Sequence, residues 1–160
     1  MSGTALKCIA ALSMLLDHVG AVLFPEVIWL RYVGRIAFPI YCFLIVEGFF
    51  HTRNLAKYMM RLLIFGLISE VPFDLAFHGT VIYTDYQNVF WTLLLGLFAI
   101  SFMSLVTIKN SILRLLVQIL IAVPFGVGAE LMHTDYRWIG VAMISIMYLF
   151  RRMELIKVVG

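Results

Sequence analysis

The sequence predicts an all-α membrane protein, a polytopic bundle of about six transmembrane helices that forms a single domain over residues 1–160. One observation behind this prediction is the composition, because 63% of the residues are hydrophobic, 13% are charged and the mean hydropathy is +1.02. Soluble domains contain roughly 45 to 50% apolar residues. The other observation is that apolar runs follow one another with short connections, and each has about the 20 residues that a spanning helix needs.

Six apolar runs define the predicted helices. The first lacks the small-residue cleavage pattern of a signal peptide, so we expect it to remain as a helix. The second contains Pro39, which should kink it because proline has no N–H group and clashes with the preceding turn. The sixth is short, and turn formers or polar residues separate all six. The runs cover about residues 6–24, 27–50, 56–77, 88–108, 111–130 and 138–150.

The distribution of basic residues predicts the orientation. If the odd-numbered helices run outward, most of the twelve Lys and Arg residues lie on the cytoplasmic side, as the positive-inside rule requires. Both termini are therefore expected in the cytoplasm. These charges are not gathered on a soluble face, so no nucleic-acid partner is expected. The cytoplasmic set is Lys7, Arg53, Lys57, Arg61, Lys109, Arg114, Arg151, Arg152 and Lys157.

Asp17 and His18 lie side by side within the first predicted helix. Ionisable side chains are costly in the membrane interior and so mark functional sites. Because consecutive helical residues point about 100° apart, each needs a partner from elsewhere. The rise of about 1.5 Å per residue puts Arg35 at the depth of Asp17 and makes it the predicted partner. Arg31, one turn nearer the surface, is expected to reach the headgroups.

His18 is predicted to act as a general base that takes a proton from an amine or hydroxyl, with Glu70 or Asp74 as its orienting carboxylate. The alternative is a hydrogen bond that only joins helices. Further polar residues, Asn88 and Asp135 among them, fall on the same outer half of the membrane by the same depth count. We therefore predict that Glu70, Asp74, Asn88 and Asp135 line a substrate site.

A second polar zone lies at the predicted cytoplasmic face. Arg53, Lys57 and Arg61 recur every four residues and could clamp the phosphates of a nucleotide-containing cofactor. The alternative is an anchor for anionic lipid, and His51 at the same boundary allows both interpretations. No two histidines have ligand spacing on one helix, so no metal is expected.

Several short strings occur in an order that resembles the TraX family and cover most of the chain. The resemblance implies a membrane-embedded acyltransferase of the bacterial inner membrane, because the family's best known member is linked to N-terminal acetylation of conjugative pilin. The strings are Asp17-His18-Val19-Gly20, Gly34-Arg35-Ile36-Ala37-Phe38-Pro39, Glu47-Gly48-Phe49, His51-Thr52-Arg53-Asn54, Ile68-Ser69-Glu70-Val71-Pro72-Phe73-Asp74, Asn88-Val89-Phe90 and Thr134-Asp135-Tyr136.

The resemblance also implies acetyl-CoA as the acyl donor, taken from the cytoplasm. The acceptor would be an amine or hydroxyl at the outer face, from a pilin-like protein N-terminus or a carbohydrate. His18 would be the catalytic base with Asp17 and Arg35 as neighbours, and the basic residues at 53, 57 and 61 would hold the CoA thioester, with His51 beside them. Members of the family usually run longer, so we expect a compact member, a truncated one, or a pocket completed by homo-oligomerisation.

Two other classes of function fit the same residues. A small proton-coupled transporter or permease would use Asp17, His18, Arg35 and Glu70 as a relay, and it predicts gradient-dependent flux without CoA binding. A non-catalytic assembly scaffold would use buried polar residues only to join helices. In a scaffold, replacing Asp17 or Arg35 would reduce assembly without abolishing a separable activity.

Overall fold

The computed structural model describes residues 3–159, and the side chains of residues 3–154. The described residues form seven α-helices, which confirms the all-α prediction. Three helical stretches, Gly3–Val22, Ile28–His51 and Ser111–Leu131, are long and apolar enough to cross a membrane. The helices are α1 (Gly3–Val22), α2 (Ile28–Gly34), α3 (Ala37–His51), α4 (Leu55–His78), α5 (Val89–Ser104), α6 (Ser111–Leu131) and α7 (Arg137–Val159).

The chain is thus a helical membrane protein, whereas its orientation in the membrane stays a prediction. One basic residue of the orientation argument, Lys157, has a side chain outside the described ones. The prediction of a single domain also stays a prediction. By its internal packing the chain divides into two compact units, the first ending at Leu44 and the second beginning at Ile45.

The second predicted helix, residues 27–50, is corrected to two helices with a break at Arg35 and Ile36. The backbone turns more tightly there, since the Ile36 amide donates to the Val33 carbonyl at 3.3 Å and the Phe38 amide to the Arg35 carbonyl at 3.4 Å. Pro39 is the physical reason. Its ring would clash with the carbonyl of Arg35 in a continuous helix, whereas proline is tolerated in the first turn of a new one.

The sixth predicted helix is also corrected, because α7 has 23 residues and continues well past residue 150. The prediction stopped at the charged pair Arg151 and Arg152, where the apolar run ends. Arginine has a high helix propensity. An ion pair between Arg151 and Glu154 on successive turns, 3.9 Å apart, further supports the helix beyond the apolar segment.

In the first unit, α1 packs against α2 through glycines. A Cβ atom at Gly20 would lie 2.7 Å from the Leu30 Cβ, and one at Gly34 would overlap the backbone of Asp17. Small residues allow helix backbones to approach closely in membrane proteins. This packing brings residue 17 against the last turn of α2.

In the second unit, α5 is the central helix and packs against α4, α6 and α7. More than half of its residues are buried, and Gly96 lies against Ile144 of α7. The Gln118 amide from α6 donates to the Met103 carbonyl at 2.9 Å and satisfies the last turn of α5. One end of this unit is closed by residues 79–88 and 132–136, which meet in a bridge between Gln87 and Thr134; we call it the loop end.

Candidate functional site

In the first unit, Asp17 faces a cation on α2. The Arg31 Nε atom lies 3.5 Å from Asp17 Oδ1, and the two side chains are 33% and 21% exposed. Asp17 Oδ1 is buried and accepts no hydrogen bond from any residue that the structure describes. The pair is therefore held by charge, and the carboxylate keeps acceptor capacity for a further donor.

The predicted partner of Asp17, Arg35, is corrected to Arg31. The predicted ends of the first two helices are residues 24 and 27, whereas the observed ends are Val22 and Ile28. Asp17 is therefore level with the end of α2, where Gly34 contacts it. Arg31 reaches it from one turn away, whereas Arg35 is an exposed residue in the break between α2 and α3.

His18 is partly buried on α1. Its Nδ1 atom lies 2.7 Å from the Met14 carbonyl oxygen. A carbonyl oxygen can only accept, so Nδ1 carries the proton and Nε2 is the basic nitrogen of the neutral ring. His18 is thus oriented by the backbone of its own helix, as a candidate base needs to be.

In the second unit, the structure brings Glu70 of α4 together with the start of α5. The Glu70 carboxylate accepts from the Asn88 backbone amide at 3.2 Å, from Trp91 Nε1 at 2.9 Å and from the Asn88 side-chain amide. Asn88 is almost fully buried and also donates to the Gly66 carbonyl at 2.9 Å. Its Oδ1 atom accepts the Phe90 amide at 2.9 Å, which caps α5. The geometry thus gives Asn88 a structural task, and its substrate-lining role stays a prediction.

Asp135 lies at the same loop end. Its Oδ1 atom accepts the Tyr86 hydroxyl at 2.9 Å, and its backbone carbonyl accepts the hydroxyl of Thr92. The hydroxyl oxygens of Thr92 and Thr134 lie 2.9 Å apart, and both threonines are fully buried. Burial raises the pKa of the Tyr86 hydroxyl, and the neighbouring Asp135 carboxylate adds to this rise.

Asp74 and His78 lie one turn apart near the end of α4. Asp74 is 1% exposed and accepts the Tyr83 amide at 2.7 Å through Oδ2. The ring of Tyr83 stacks on His78 with centroids 3.9 Å apart. Within the described residues, Asp74 Oδ1 and His78 Nε2 are buried without a hydrogen-bond partner. This end of α4 thus holds polar atoms able to bind a small donor or acceptor group.

The turn that leads into α7 has an unusual backbone. His133, Tyr136 and Arg137 have positive φ angles of 48°, 64° and 46°. Residues other than glycine adopt positive φ angles only at an energetic cost, and residues in such a conformation often occur at functional sites. Arg137 binds Glu130 across the turn, with 2.8 Å between Nη1 and Oε1.

The four residues predicted to line a substrate site lie at one end of the second unit, on α4 and at the two loops.

The predicted cofactor residues lie where α3 joins α4. Arg53, Lys57 and Arg61 are exposed. Asn54 caps α4 by accepting the Lys57 amide at 2.9 Å. Lys57 and Arg61 therefore lie one turn apart on α4, whereas Arg53 precedes the cap. Helix N-termini attract anions because their first amides have no partner within the helix.

His51 at this junction is directed to its own helix. Its Nδ1 atom lies 2.8 Å from the Glu47 carbonyl oxygen and 3.7 Å from the Glu47 carboxylate. The same carboxylate accepts Arg151 Nε at 2.6 Å, which ties α3 to α7. His51 thus lies beside the ion pair of Glu47 and Arg151 within the second unit.

Sequence reasoning missed several of these partners. Arg151 and Glu47 are 104 residues apart, so no local spacing could have paired them. Trp91 and Glu70 lie on different helices, so only the structure reveals the hydrogen bond between them. The spacing of Asp74 and His78 on one helix face was the signal that could have identified His78. Within the described residues, no group of three or more His, Cys, Asp or Glu side chains could hold a metal ion.

A family model described as TraX protein matches residues 2–159 of the chain. A protein of Dichelobacter nodosus named "Probable fimbrial assembly protein FimC, serogroup H1" is 35% identical over 146 residues, which are 84% of this chain and 57% of the relative. An uncharacterized protein of Rickettsia prowazekii (strain Madrid E) is 30% identical over 93 residues, which are 57% of this chain and 33% of the relative. The chain thus spans about half or less of the length of these relatives. No solved structure matches it.

Proposed function

We propose, from the premise that this chain belongs to the TraX family, that it is a membrane-embedded acetyltransferase of the bacterial inner membrane. Its acyl donor would be acetyl-CoA, and its acceptor an amine or hydroxyl group at the outer face. The fimbrial assembly name of the Dichelobacter nodosus relative supports a pilin-like protein N-terminus as acceptor. A carbohydrate hydroxyl is the second acceptor class to test.

The observation that carries the proposal is the environment of His18. Its Nδ1 atom donates to the Met14 carbonyl, so Nε2 is the nitrogen that carries the lone pair in this tautomer, as a general base requires. On the adjacent α2, Arg31 neutralises Asp17. This leaves the guanidinium of Arg35 to stabilise negative charge on a thioester oxygen.

The proposed step balances as a simple acyl transfer. His18 Nε2 takes the proton of the acceptor amine or hydroxyl while the acceptor nitrogen or oxygen bonds to the thioester carbonyl carbon. The carbon–sulfur bond then breaks and CoA leaves as the thiolate. The proton held by His18 is delivered to the CoA sulfur, which returns the imidazole to its neutral form.

We assign the CoA phosphates to the basic residues where α3 joins α4. Lys57 and Arg61 project from the first two turns of α4, and Arg53 precedes its capped N-terminus. Positive side chains and unpaired helix amides favour the same anionic ligand. The exposure of all three residues makes them accessible to a soluble cofactor.

The test uses purified protein, labelled acetyl-CoA and a peptide with a free N-terminus. General bases contribute about 10² to 10⁴ in rate, so His18→Ala should lower kcat at least about 100-fold while acetyl-CoA still binds. Leu15→Ala is the control on the same helix, because the Leu15 side chain is exposed and has no part in the proposed step. Equal transfer by the parent and His18→Ala would remove His18 from the mechanism.

The cofactor assignment has its own measurement. Replacing Arg53, Lys57 and Arg61 by glutamine should raise the KM for acetyl-CoA with little change in kcat, because these charges act in binding. An N-terminally blocked peptide should accept no label if the acceptor is the terminal amine. Gradient-dependent solute flux into proteoliposomes, with no binding of acetyl-CoA, would instead establish a transporter.

A further inference from the structure

Two cavities lie between α6 and α7 within the second unit. Their volumes are about 480 Å³ and about 610 Å³. Because Ile146 and Leu149 line both cavities, the cavities are adjacent along the helix pair, and we call the two together the α6–α7 groove. Each volume lies within the range of about 300 to 1,000 Å³ that is typical of ligand pockets.

The groove is apolar along most of its length. Small residues, Ala122 and Gly126 of α6 and Ala142 of α7, make room between the helices. Trp138 lines one end, and Met153 lines the other. At about 1.5 Å per residue this is about 22 Å of α7, most of the hydrocarbon thickness of a bilayer.

The end of the groove away from Trp138 is basic. Arg114 from α6 and Arg152 from α7 line it together. Within residues 3–154 neither guanidinium has a carboxylate within 4.0 Å, and the arginines that pair with carboxylates there are Arg31, Arg137 and Arg151. Arg152 donates to the Tyr148 hydroxyl at 3.1 Å. The groove thus joins an apolar channel to two guanidinium groups, and guanidinium matches phosphate geometry.

We propose that the α6–α7 groove binds an anionic phospholipid, with an acyl chain between the two helices and the phosphate on Arg114 and Arg152. The charge of the basic end is the reason for an anionic lipid, since a zwitterionic headgroup would bring its own cation next to the two guanidinium groups. One Lys or Arg residue near an anionic membrane surface strengthens binding to that surface roughly fivefold. The proposal is independent of the proposed enzymatic activity.

Trp138 provides an intrinsic probe, because its side chain lines the apolar end and is 56% exposed. The full chain is reconstituted into two kinds of vesicle, both with equal fractions of phosphatidylglycerol and phosphatidylcholine. In one kind the acyl chains of phosphatidylglycerol are brominated near their methyl ends, and in the other kind those of phosphatidylcholine are. Bromine quenches tryptophan fluorescence on contact. Subtracting the signal of Trp138→Phe isolates this residue from the other two tryptophans.

We expect brominated phosphatidylglycerol to occupy the site near Trp138 at least about fivefold more than brominated phosphatidylcholine. Arg114→Gln with Arg152→Gln should abolish the preference, whereas Lys109→Gln should keep it, because Lys109 precedes the same end of α6 without lining the groove. Arg114→Lys with Arg152→Lys retains the charge and should retain most of the preference even if the glutamine variant fails to fold. Equal quenching by both lipids, a preference that survives the glutamine variant, or no quenching because a second copy fills the groove would each overturn the proposal.

Discussion

Gly34 lies where α2 meets α1, and replacing it with alanine tests how tightly the helix pair that carries Asp17 is packed. A Cβ atom at this position would lie 2.6 Å from the backbone nitrogen of Asp17. The Asp17 Cα would be closer still, at 2.5 Å, whereas ordinary van der Waals contact begins at 3.4 Å, so the helices would have to separate by about 0.9 Å in a well-packed interface. The obstacle is backbone, which no side-chain rotation can relieve.

Overpacking of this kind costs about 1 to 3 kcal/mol. For a chain of this length, 1 kcal/mol corresponds to about 2 to 4 °C in Tm. We therefore expect Gly34→Ala to unfold about 2 to 12 °C below the parent. The separation should also weaken the ion pair of Asp17 and Arg31, so acetyl transfer should fall with stability if the proposed function is correct.

Thermal unfolding in detergent, followed by circular dichroism, measures the effect. Gly128→Ala is the matched control, since a Cβ at Gly128 in α6 meets nothing within 4 Å. Alanine is about 1 kcal/mol better than glycine within a helix, so this variant should unfold at or above the temperature of the parent. An unchanged Tm for Gly34→Ala would refute the close approach of α1 and α2.

Three further predictions concern the second unit. Arg151→Gln leaves the partly buried Glu47 carboxylate without its closest cation and should lower Tm. Adding Glu47→Gln to this variant should restore part of the loss. Equal Tm values for the single and the double variant would contradict this pairing. Folding raises the pKa of the Tyr86 hydroxyl, so the contribution of Tyr86 to the free energy of unfolding is fully present below about pH 10 and is lost as the pH rises through the folded-state pKa. The free energy of unfolding should therefore fall less steeply with rising alkaline pH for Tyr86→Phe than for the parent. Identical slopes for the two proteins would contradict this linkage. Asn54→Ala removes the cap of α4 and should cost about 0.5 to 2 kcal/mol, whereas Asn54→Ser should cost less; chemical unfolding of the three proteins gives the comparison.

The candidate site was predictable where it depends on residue type and only in part where it depends on contacts. Asp17 and His18 stand out because ionisable groups are rare in apolar runs. The choice of Arg35 over Arg31 failed because the helix breaks at Arg35, which leaves this side chain exposed, whereas Arg31 lies within α2 and reaches Asp17. The ion pair of Glu47 with Arg151 could not be predicted, because the two residues are far apart in the sequence.

The sequence by itself determined that this is a helical membrane protein, because apolar content and run length decide whether backbone hydrogen bonds must be closed within helices. It also supplied the ordered motifs that resemble the TraX family and the proline that breaks the second helix. Only the tertiary structure decided which helices pack together, that Glu70 binds Trp91 and Asn88, and that α6 and α7 leave a groove between them. Those features depend on side chains meeting across helices, and local composition does not encode which ones meet.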